Sequence, residues 1–352
     1  MSTLVLGTRG SDLALTQSRW VAAQLRGLGL DVDIRVIRTE GDVSPESLSR
    51  LGGVGVFAAA LRLALLEGTC DLAVHSFKDL PTRGVDGLVI AAVPRRASAS
   101  DALCAAGEAA LNELAPGAKV GTGSPRRAAQ LRALRPDLDI VDIRGNVPTR
   151  LGRVADSEWE GPGDLDAVIL ALAGLERLGW GYAATDVFGP DRLLPAPAQG
   201  ALAVEASMAA LSAHPELVDA LASLDDPWTR AAACAERAVL AHLEAGCAAP
   251  VGAWSQRSGG PEGEDILALD AAVFSLDGRR SVTAMQGVAL DVSGLDTARL
   301  EEEARRLGET VGAELLALGA GDVADLQATK APAGSTALSR AQGRDLFGNT
   351  LA

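Results

Sequence analysis

Short aliphatic runs alternate with helical patterns along the first part of the chain. The runs TLVLGT, VDIRVIRT, CDLAVH and LVIAAV have the length and content of buried strands. The segments SDLALTQSRWVAAQLRGL and GVFAAALRLALLEG carry apolar residues at spacings of three and four, which predicts amphipathic helices. Strands and helices in this alternation are typical of an α/β domain with a mainly parallel sheet.

The same alternation begins again after residue 98. Strands are predicted at DALCAA, AKVGTG, LDIVDIRG and AVILAL, and helices at PRRAAQLRALR, NVPTRLGRVADS and around LAGLERLG. The segment PRRASAS (94–100) has the composition of a linker, and the proline-rich LLPAPAQG (193–200) is typical of a return crossing. Two α/β lobes joined by two crossings predict a hinged molecule that binds its ligand between the lobes.

The pattern changes from about residue 217. A long helix is expected at PWTRAAACAERAVLAHLEAG, antiparallel strands at GAWSQ, DILALDAAVF and SVTAMQGVAL, and a second helix at TARLEEEARRLGETVGAELLAL. We therefore predict one α/β lobe from 1–95 and 200–216, a second from 99–195, and a small α+β domain from 217–325. The small and polar residues of 330–352 predict a disordered tail.

The overall charge and the cysteine pattern exclude several classes of protein. The formal net charge of -14 argues against a nucleic-acid partner. The first residues show no signal-peptide pattern and no apolar run is long enough to span a bilayer, so we expect a cytoplasmic protein without a membrane partner. Four separated cysteines and three scattered histidines indicate neither a zinc site nor a Ser-His triad, so no metal is expected.

Basic residues are nevertheless concentrated between Lys119 and Arg153, where eight basic and three acidic residues lie. In GTGSPRR a predicted strand ends and a helix begins, with Ser124 as its N-cap. Exposed amides at a helix start bind anions, and Arg126 and Arg127 add planar donors that suit carboxylate or phosphate. A solvated helix face is the alternative, but the contrast with the acidic chain favours an anion site.

Further arginines follow other predicted strand ends. Arg9 lies in GTRGS, and Arg144 and Arg150 lie in DIRGNVPTR. Ligands of open α/β sheets bind at the carboxyl ends of strands, so these side chains are expected to line one cleft. Several arginines in one cleft indicate a ligand with several negative groups. The absence of GxGxxG and Walker-type motifs makes a nucleotide a poorer interpretation.

Two further segments carry candidate chemistry. The loop VHSFKDLPT (74–82) places Ser76, Lys78 and Asp79 after a strand. A Lys-Asp pair is usually an ordinary surface pair, but at a strand end facing an arginine-lined cleft Asp79 is a candidate general acid/base. Cys247, between small residues beyond a helix end, is either a buried thiol or a nucleophile or attachment point.

In their order along the chain, TRGSDLAL, HSFKDLP, GTGSPRR, IRGNVPTRL, LPAPAQGA and AERAVLAHLEAGC resemble the porphobilinogen deaminase (hydroxymethylbilane synthase) family of tetrapyrrole biosynthesis. The resemblance covers roughly the first 320 residues. It implies two lobes like type II periplasmic binding proteins, joined by hinges, and a third domain that carries the cofactor. It also implies a monomeric transferase that condenses four porphobilinogen molecules head to tail and releases ammonia, on the route to porphyrins and haem.

The resemblance implies a role for each matching residue. Cys247 would hold a dipyrromethane cofactor through a thioether, and Lys78 would pair with its carboxylates. Asp79 would stabilise the azafulvenium cation that remains when ammonia leaves the substrate, and Gln199 would be a hinge or cleft residue. The binders of the cofactor and substrate would be Arg9, Ser11, Ser76, Thr122, Ser124, Arg126, Arg127, Arg144, Arg150 and Arg177.

Two other functions are consistent with a two-lobed fold. A receptor for an anionic solute would predict a secretory signal, and it leaves Cys247 without a role. A ligand-responsive regulator would need a basic helix-turn-helix domain, which the sequence does not contain. The enzyme accounts for the third domain and for the separated arginines together.

Overall fold

The computed structural model describes residues 3–37, 54–246, 248–260, 263–291 and 296–328. The predicted disordered tail at 330–352 and the side chain of Cys247 lie outside these residues. Among the helices that are described, none has both the length and the apolar character needed to cross a membrane.

The first lobe is built around a five-stranded sheet. Its strands, in the spatial order β2-β1-β3-β10-β4, are β1 (Leu4–Thr8), β2 (Val32–Val36), β3 (Leu72–Ser76), β4 (Leu88–Ala92) and β10 (Leu202–Ser207). β1 is parallel to β2 and β3, whereas β10 is antiparallel to both β3 and β4. The helices α1 (Asp12–Gly27) and α2 (Val54–Leu66) belong to this lobe.

The apolar spacing of α1 explains how it packs on this sheet. Ser11 begins the helix, because its Oγ accepts a hydrogen bond from the backbone N–H of Ala14 at 3.4 Å. Val21, Ala22 and Leu25 lie on one face of the helix and are buried in the core above the strands. The helix therefore covers the sheet and leaves its own start at the carboxyl end of β1.

The second lobe repeats this arrangement. Its strands, in the order β7-β6-β8-β5-β9, are β5 (Asp101–Ala105), β6 (Lys119–Gly121), β7 (Asp139–Val141), β8 (Ala167–Ala171) and β9 (Asp186–Phe188). Its helices are α3 (Pro125–Leu134), α4 (Val147–Leu151) and α5 (Leu172–Arg177).

Both sheets contain one strand that runs against its neighbours, β10 in the first lobe and β5 in the second. β5 follows the 94–100 crossing directly, and β10 follows the 193–200 crossing. Each crossing therefore leads into the antiparallel strand of a lobe. The starts of β5 and β10 consequently lie next to the junction between the lobes.

The C-terminal domain is an antiparallel sheet covered by two long helices. Its elements are α8 (Pro227–His242), β11 (Val251–Gly259), β12 (Asp265–Phe274), β13 (Ser281–Ala289), α9 (Thr297–Ala317) and the short α10 (Ala320–Val323). Val239 of α8, Leu269 of β12 and Val311 of α9 lie together in its core. The predicted fold class, two α/β lobes joined by hinges and a small α+β domain, is confirmed.

Two helices between the crossing and this domain were not predicted. They are α6 (Met208–Ala213) and α7 (Pro215–Leu224). Leu217, Ala220 and Leu221 of α7 are buried in the core of the first sheet. Because α7 packs on the first lobe, we propose that the third domain begins after Leu224 and not at the predicted residue 217.

Candidate active site at the junction of the lobes

The segment 76–81, named the 76–81 loop below, follows β3 at the carboxyl end of that strand. It contains a single 3-10 turn, Phe77–Asp79. Phe77 and Leu80 are buried in an apolar cluster, whereas Lys78 is half-buried and Asp79 is exposed. The two apolar side chains fix the turn in the core and leave the two charged residues between them outside it.

A buried carboxylate, Asp101 at the start of β5, binds both arginines of the GTGSPRR motif. Arg126 Nη2 donates to Asp101 Oδ2 at 2.8 Å, and Arg127 donates to Oδ1 from Nε at 2.9 Å and from Nη2 at 2.6 Å. Burial alone would raise the pKa of Asp101, but the two guanidinium groups hold this pKa well below its usual range. The two arginines that the sequence predicts as an anion site therefore bind a carboxylate of the chain itself.

Gln199, in the second crossing, connects this carboxylate to the 76–81 loop. Its Nε2 donates to Asp101 Oδ1 at 2.8 Å, and its Oε1 accepts from Lys78 Nζ at 3.1 Å and from Arg127 Nη2 at 3.5 Å. We call Asp101, Arg126, Arg127 and Gln199 the Asp101 cluster. Through Gln199 the loop of the first lobe is joined to the arginines of the second.

Lys78 lies in an environment that disfavours its charge. Burial lowers the pKa of Lys78 to about 8, and the positive charge of Arg127 acts in the same direction. The carboxylates of Asp79 and Asp101 oppose this shift. A further carboxylate brought close to Lys78 would therefore stabilise its ammonium form.

Arg144 and Arg150 lie around the start of α4. The Arg150 Nε donates to the carbonyl of Gly145 at 2.8 Å, while the more exposed Arg144 is 3.4 Å from Asp142 Oδ2. Burial lowers the pKa of Arg150 to about 10, with Arg127 and Arg144 adding to the shift and Asp142 and Asp79 opposing it. Asp79 of the first lobe thus acts electrostatically on Arg150 of the second.

The hydroxyl groups predicted as donors have structural partners. Ser11 caps α1, and Ser124 caps α3 by accepting from the Arg127 N–H at 3.4 Å. Thr122 Oγ1 accepts from the Ser124 N–H at 3.2 Å. Ser76 Oγ accepts from Gln17 Nε2 at 3.0 Å. These hydroxyls shape the strand ends at which helix N–H groups lie.

Arg9 and Arg177 lie nearer the edges of the junction. Arg9 follows β1 directly and is half-buried. Arg177, at the end of α5, donates from Nη2 to the carbonyl of Gly200 at 2.7 Å, and burial lowers its pKa to about 10. The structure bonds Lys78 to the Asp101 cluster through Gln199, while Arg177 contacts the crossing next to it.

Three residues at this junction, Asp101, Arg96 and Glu236, were not predicted from the sequence. Asp101 begins an otherwise aliphatic strand, and its arginine partners are far away in sequence. Arg96, in the first crossing, binds Glu236 of α8 at 2.6 Å and 3.0 Å. A carboxylate among the alanines of α8 is the pattern that could have revealed Glu236, because an unpaired charge is costly at a buried position.

The thiols of the described residues are poor nucleophiles. Cys70 and Cys104 are buried and Cys234 is half-buried. Burial raises the pKa of Cys70 to about 11 and those of Cys104 and Cys234 to about 12. Within the described part of the chain, no group of three or more His, Cys, Asp and Glu side chains could hold a metal ion.

Comparison with known proteins decides the family. The model "Porphobilinogen deaminase, dipyromethane cofactor binding domain" matches residues 4–213, and the model "Porphobilinogen deaminase, C-terminal domain" matches residues 231–317. The chain belongs to the porphobilinogen deaminase family.

Curated relatives carry the same name. The porphobilinogen deaminase of Cutibacterium acnes is 54% identical over 334 residues, which cover 94% of this chain and 99% of that protein. The one from Leifsonia xyli subsp. xyli is 54% identical over 325 residues, covering 92% and 95%. A solved lipoprotein of the YaeC family from Enterococcus faecalis V583 matches at 12% identity and a TM-score of 0.36, covering 64% of this chain and 91% of that chain, which is too distant to carry an argument.

As a member of the porphobilinogen deaminase family, the chain is a transferase of tetrapyrrole biosynthesis. It condenses four porphobilinogen molecules head to tail, with release of ammonia, on a dipyrromethane cofactor.

The residues of the junction fit the cofactor of a porphobilinogen deaminase. Each pyrrole unit carries an acetate and a propionate, so cofactor and substrate together bring several carboxylates. The Nε of Arg126 is buried and has no hydrogen-bond partner among the described residues, which leaves one guanidinium donor for a carboxylate. Lys78 and Arg150 add positive charge that acts on the neighbouring Arg127.

Proposed function

We propose that the junction of the lobes is where this porphobilinogen deaminase binds its cofactor and substrate, with Asp79 as the catalytic carboxylate and Cys247 as the cofactor anchor. One observation carries the proposal: Asp79 is exposed within the 76–81 loop beside Lys78, whose Nζ donates at 3.1 Å to Gln199, the residue that also binds Asp101 of the other lobe. The charge of Asp79 acts on Lys78 and on Arg150 of the other lobe. A carboxylate between cations of two lobes lies where a polycarboxylate substrate would bind.

The chemistry explains why a carboxylate is needed among so many cations. When ammonia leaves the aminomethyl group of porphobilinogen, the remaining azafulvenium carries a positive charge. Asp79 can stabilise that charge, accept a hydrogen bond from the pyrrole N–H, and receive the proton that the pyrrole carbon loses when the new bond forms. The dipyrromethane, when bound, supplies the pyrrole carbon to which the first substrate is joined.

The basic residues have two separate tasks in this proposal. Arg127 is engaged with Asp101, Gln199 and the carbonyl of Ile169, so it holds the Asp101 cluster together. The carboxylates of cofactor and substrate would bind to the other cations and to the donors at the strand ends, with each charge-assisted bond contributing about 1.5–3 kcal/mol. This set is Arg9, Ser11, Ser76, Lys78, Thr122, Ser124, Arg126, Arg144, Arg150 and Arg177.

The surroundings of Cys247 support its role as the anchor. On one side the N–H of Gly246 donates to the carbonyl of Leu326 at 2.8 Å, and on the other the N–H of Ala248 donates to that of Ala328 at 3.1 Å. The backbone on both sides of Cys247 is therefore fixed to the same segment. The other three thiols are disfavoured, because burial raises their pKa values.

The monomeric state and the cytoplasmic location that the resemblance implies belong to the same proposal. The division into two lobes and a third domain beginning after Leu224 does too. Light scattering on the cofactor-loaded chain measures its mass in solution and so tests the monomeric state directly.

The test of the function combines turnover with intact-protein mass for three variants, Asp79→Asn, Asp86→Asn and Cys247→Ala. We expect Asp79→Asn to carry the cofactor mass and to turn over at least about 100-fold more slowly than the unaltered chain, because it lacks the carboxylate that stabilises positive charge and moves protons. Asp86, which is exposed in the same lobe, is the matched control and should leave turnover unchanged.

Cys247→Ala tests the anchor in the same experiment. The unaltered chain should be heavier than its sequence by two linked pyrrole units, and Cys247→Ala should have the mass of the bare chain. Near-normal turnover of Asp79→Asn would refute its catalytic role. A cofactor mass retained in Cys247→Ala would refute the anchor.

A further inference from the structure

Arg237 of α8 (Pro227–His242) reaches from the third domain to the back of the 76–81 loop. Its Nη1 donates to the carbonyls of Phe77 at 3.0 Å and Leu80 at 2.6 Å, and its Nη2 donates to the carbonyl of Pro81 at 2.7 Å. The guanidinium carbon also lies 4.5 Å from the centroid of the Phe77 ring. One side chain of another domain thus binds three backbone carbonyls of this loop.

These contacts supply hydrogen-bond donors to the backbone carbonyls of the 76–81 loop. A 3-10 turn leaves its last carbonyls without partners in the turn, and that end carries partial negative charge. The Phe77 carbonyl accepts the N–H of Leu80 at 3.2 Å and shares its oxygen with Arg237. A guanidinium presents several donors in one plane and remains charged, so it can bind several carbonyls while its face lies on an aromatic ring. An ammonium is a compact point charge and cannot reproduce this arrangement. Two of the three carbonyls, those of Phe77 and Leu80, flank Lys78 and Asp79.

The position of Arg237 on α8 links the loop to the cofactor anchor. Ala233, one turn earlier on the same helix, is buried in one apolar cluster with Phe77. The helix ends at His242, and Cys247 follows five residues later. The residue that binds the 76–81 loop and the proposed cofactor anchor therefore belong to one helix and the segment that directly follows it.

We propose that Arg237 is a positioning residue of the reaction, which sets the place of Asp79 relative to the cofactor-carrying domain. It acts through the backbone of the 76–81 loop and does not contact the substrate. The inference rests on the catalytic role proposed above for Asp79.

The experiment uses the cofactor-loaded chain and compares Arg237→Met and Arg237→Lys with a matched control, Arg230→Met. Methionine keeps much of the apolar length but removes every donor, and lysine keeps the charge. Arg230 lies two turns earlier on the same helix, pairs with Asp225 and Glu301, and donates to the carbonyl of Ile90 at 3.2 Å. It joins the third domain to the first lobe without contacting the 76–81 loop.

We expect Arg237→Met to lower kcat per cofactor-loaded chain by about 10- to 100-fold, because a displaced catalytic group loses rate steeply with distance. KM should change by less than about threefold, because no binding contact is removed. Arg237→Lys should retain an intermediate kcat, and Arg230→Met should keep the kcat of the unaltered chain. Hydrogen exchange should accelerate in the peptide covering 76–82 in Arg237→Met and remain unchanged there in Arg230→Met.

A double-mutant cycle with Asp79→Asn separates positioning from general damage. If Arg237 acts through Asp79, Arg237→Met should slow the Asp79→Asn enzyme by less than about threefold. An equal loss in both backgrounds, or an unaltered kcat in Arg237→Met, would overturn the inference. If instead Asp79→Asn itself turns over normally, the proposed catalytic role fails, and the two failures are thereby distinguished.

Discussion

At the scale of single residues, the site depends on Asp101, a carboxylate of the chain itself that binds two arginines of the site. Asp101 offsets part of the repulsion between Arg126 and Arg127, which could not otherwise be buried side by side. Two guanidinium groups on one carboxylate leave a surplus of one positive charge. Lys78, whose Nζ donates to Gln199 of the same cluster, adds a second positive charge. The junction is therefore positive although the whole chain is acidic.

The pKa of Lys78 gives this charge surplus a measurable consequence. In Cys247→Ala, which we expect to lack the cofactor, the rate of Lys78 acetylation should rise with pH through an inflection near 8, because only the neutral amine reacts. In Cys247→Ala carrying Asp79→Asn as well, the inflection should move to lower pH, because Asp79 stabilises the ammonium. In the cofactor-loaded chain it should move to higher pH if Lys78 pairs with cofactor carboxylates.

Mass spectrometry of peptides after brief acetylation at a series of pH values measures this inflection. The exposed Lys119 in the same digest controls for the amount of reagent. An inflection that is the same in all three proteins would contradict both the electrostatic account and the proposed contact of Lys78 with the cofactor.

The sequence predicted much of the site but not its internal pairing. HSFKDLP and GTGSPRR could be placed at strand ends, because a strand followed by a turn or a capped helix start has a local pattern. The bond of Asp101 to Arg126 and Arg127 is a contact between distant segments, which no local pattern contains. The same holds for Arg96 and Glu236, whose pairing arises when α8 packs against the crossing.

At the scale of elements, the two crossings determine how the lobes meet. They pass so close together that the N–H of Ala97 donates to the carbonyl of Gly200 at 3.3 Å. β10, which follows directly, was not predicted as a strand, because Glu205 interrupts its apolar residues. That carboxylate is buried beside Arg62 at 2.9 Å and His75 at 3.1 Å, so partners on other elements make a polar residue acceptable inside the sheet.

Gly200→Ala should therefore destabilise the junction beyond the usual cost of its backbone conformation. Gly200 has φ +87°, and an added Cβ would lie 2.8 Å from the carbonyl oxygen of Ala97 and closer still to that of Ser98. Gly29 has φ +90° with nothing within 4 Å, so Gly29→Ala is the matched control. In both variants the free energy of unfolding should fall by about 1–2 kcal/mol, because alanine is strained in the left-handed backbone conformation.

The close approach should cost Gly200→Ala about 1–3 kcal/mol more than Gly29→Ala. The difference between their free energies of unfolding, measured with urea, isolates the contact of the two crossings. Equal losses in the two variants would show that the crossings separate at little cost.

At the scale of the whole molecule, a largely buried ion pair joins the third domain to both crossings. Glu236 of α8 binds Arg96 of the first crossing, accepts from the Ala198 N–H of the second crossing at 2.6 Å, and accepts from the Ser255 N–H of its own domain at 2.8 Å. Arg96 also donates to the carbonyl of Gln199 at 2.8 Å. The pair therefore connects both crossings with the third domain.

Glu236→Gln should weaken the contact between the third domain and the crossings far more than the loss of a surface ion pair would weaken any contact. The change leaves the largely buried Arg96 without its counter-charge, so we expect a loss of about 3–5 kcal/mol in the free energy of unfolding. Calorimetry should also resolve a separate transition of the third domain at lower temperature, because the contact between the domains depends on this ion pair.

Glu302→Gln is the control, since Glu302 pairs with Arg305 and Arg306 on the exposed face of α9. Its replacement should change the free energy of unfolding by less than about 0.5 kcal/mol. A single transition of unaltered midpoint in Glu236→Gln would mean that the other contacts of α8, among them those of Arg230 and Arg237, hold the third domain on the lobes without this pair.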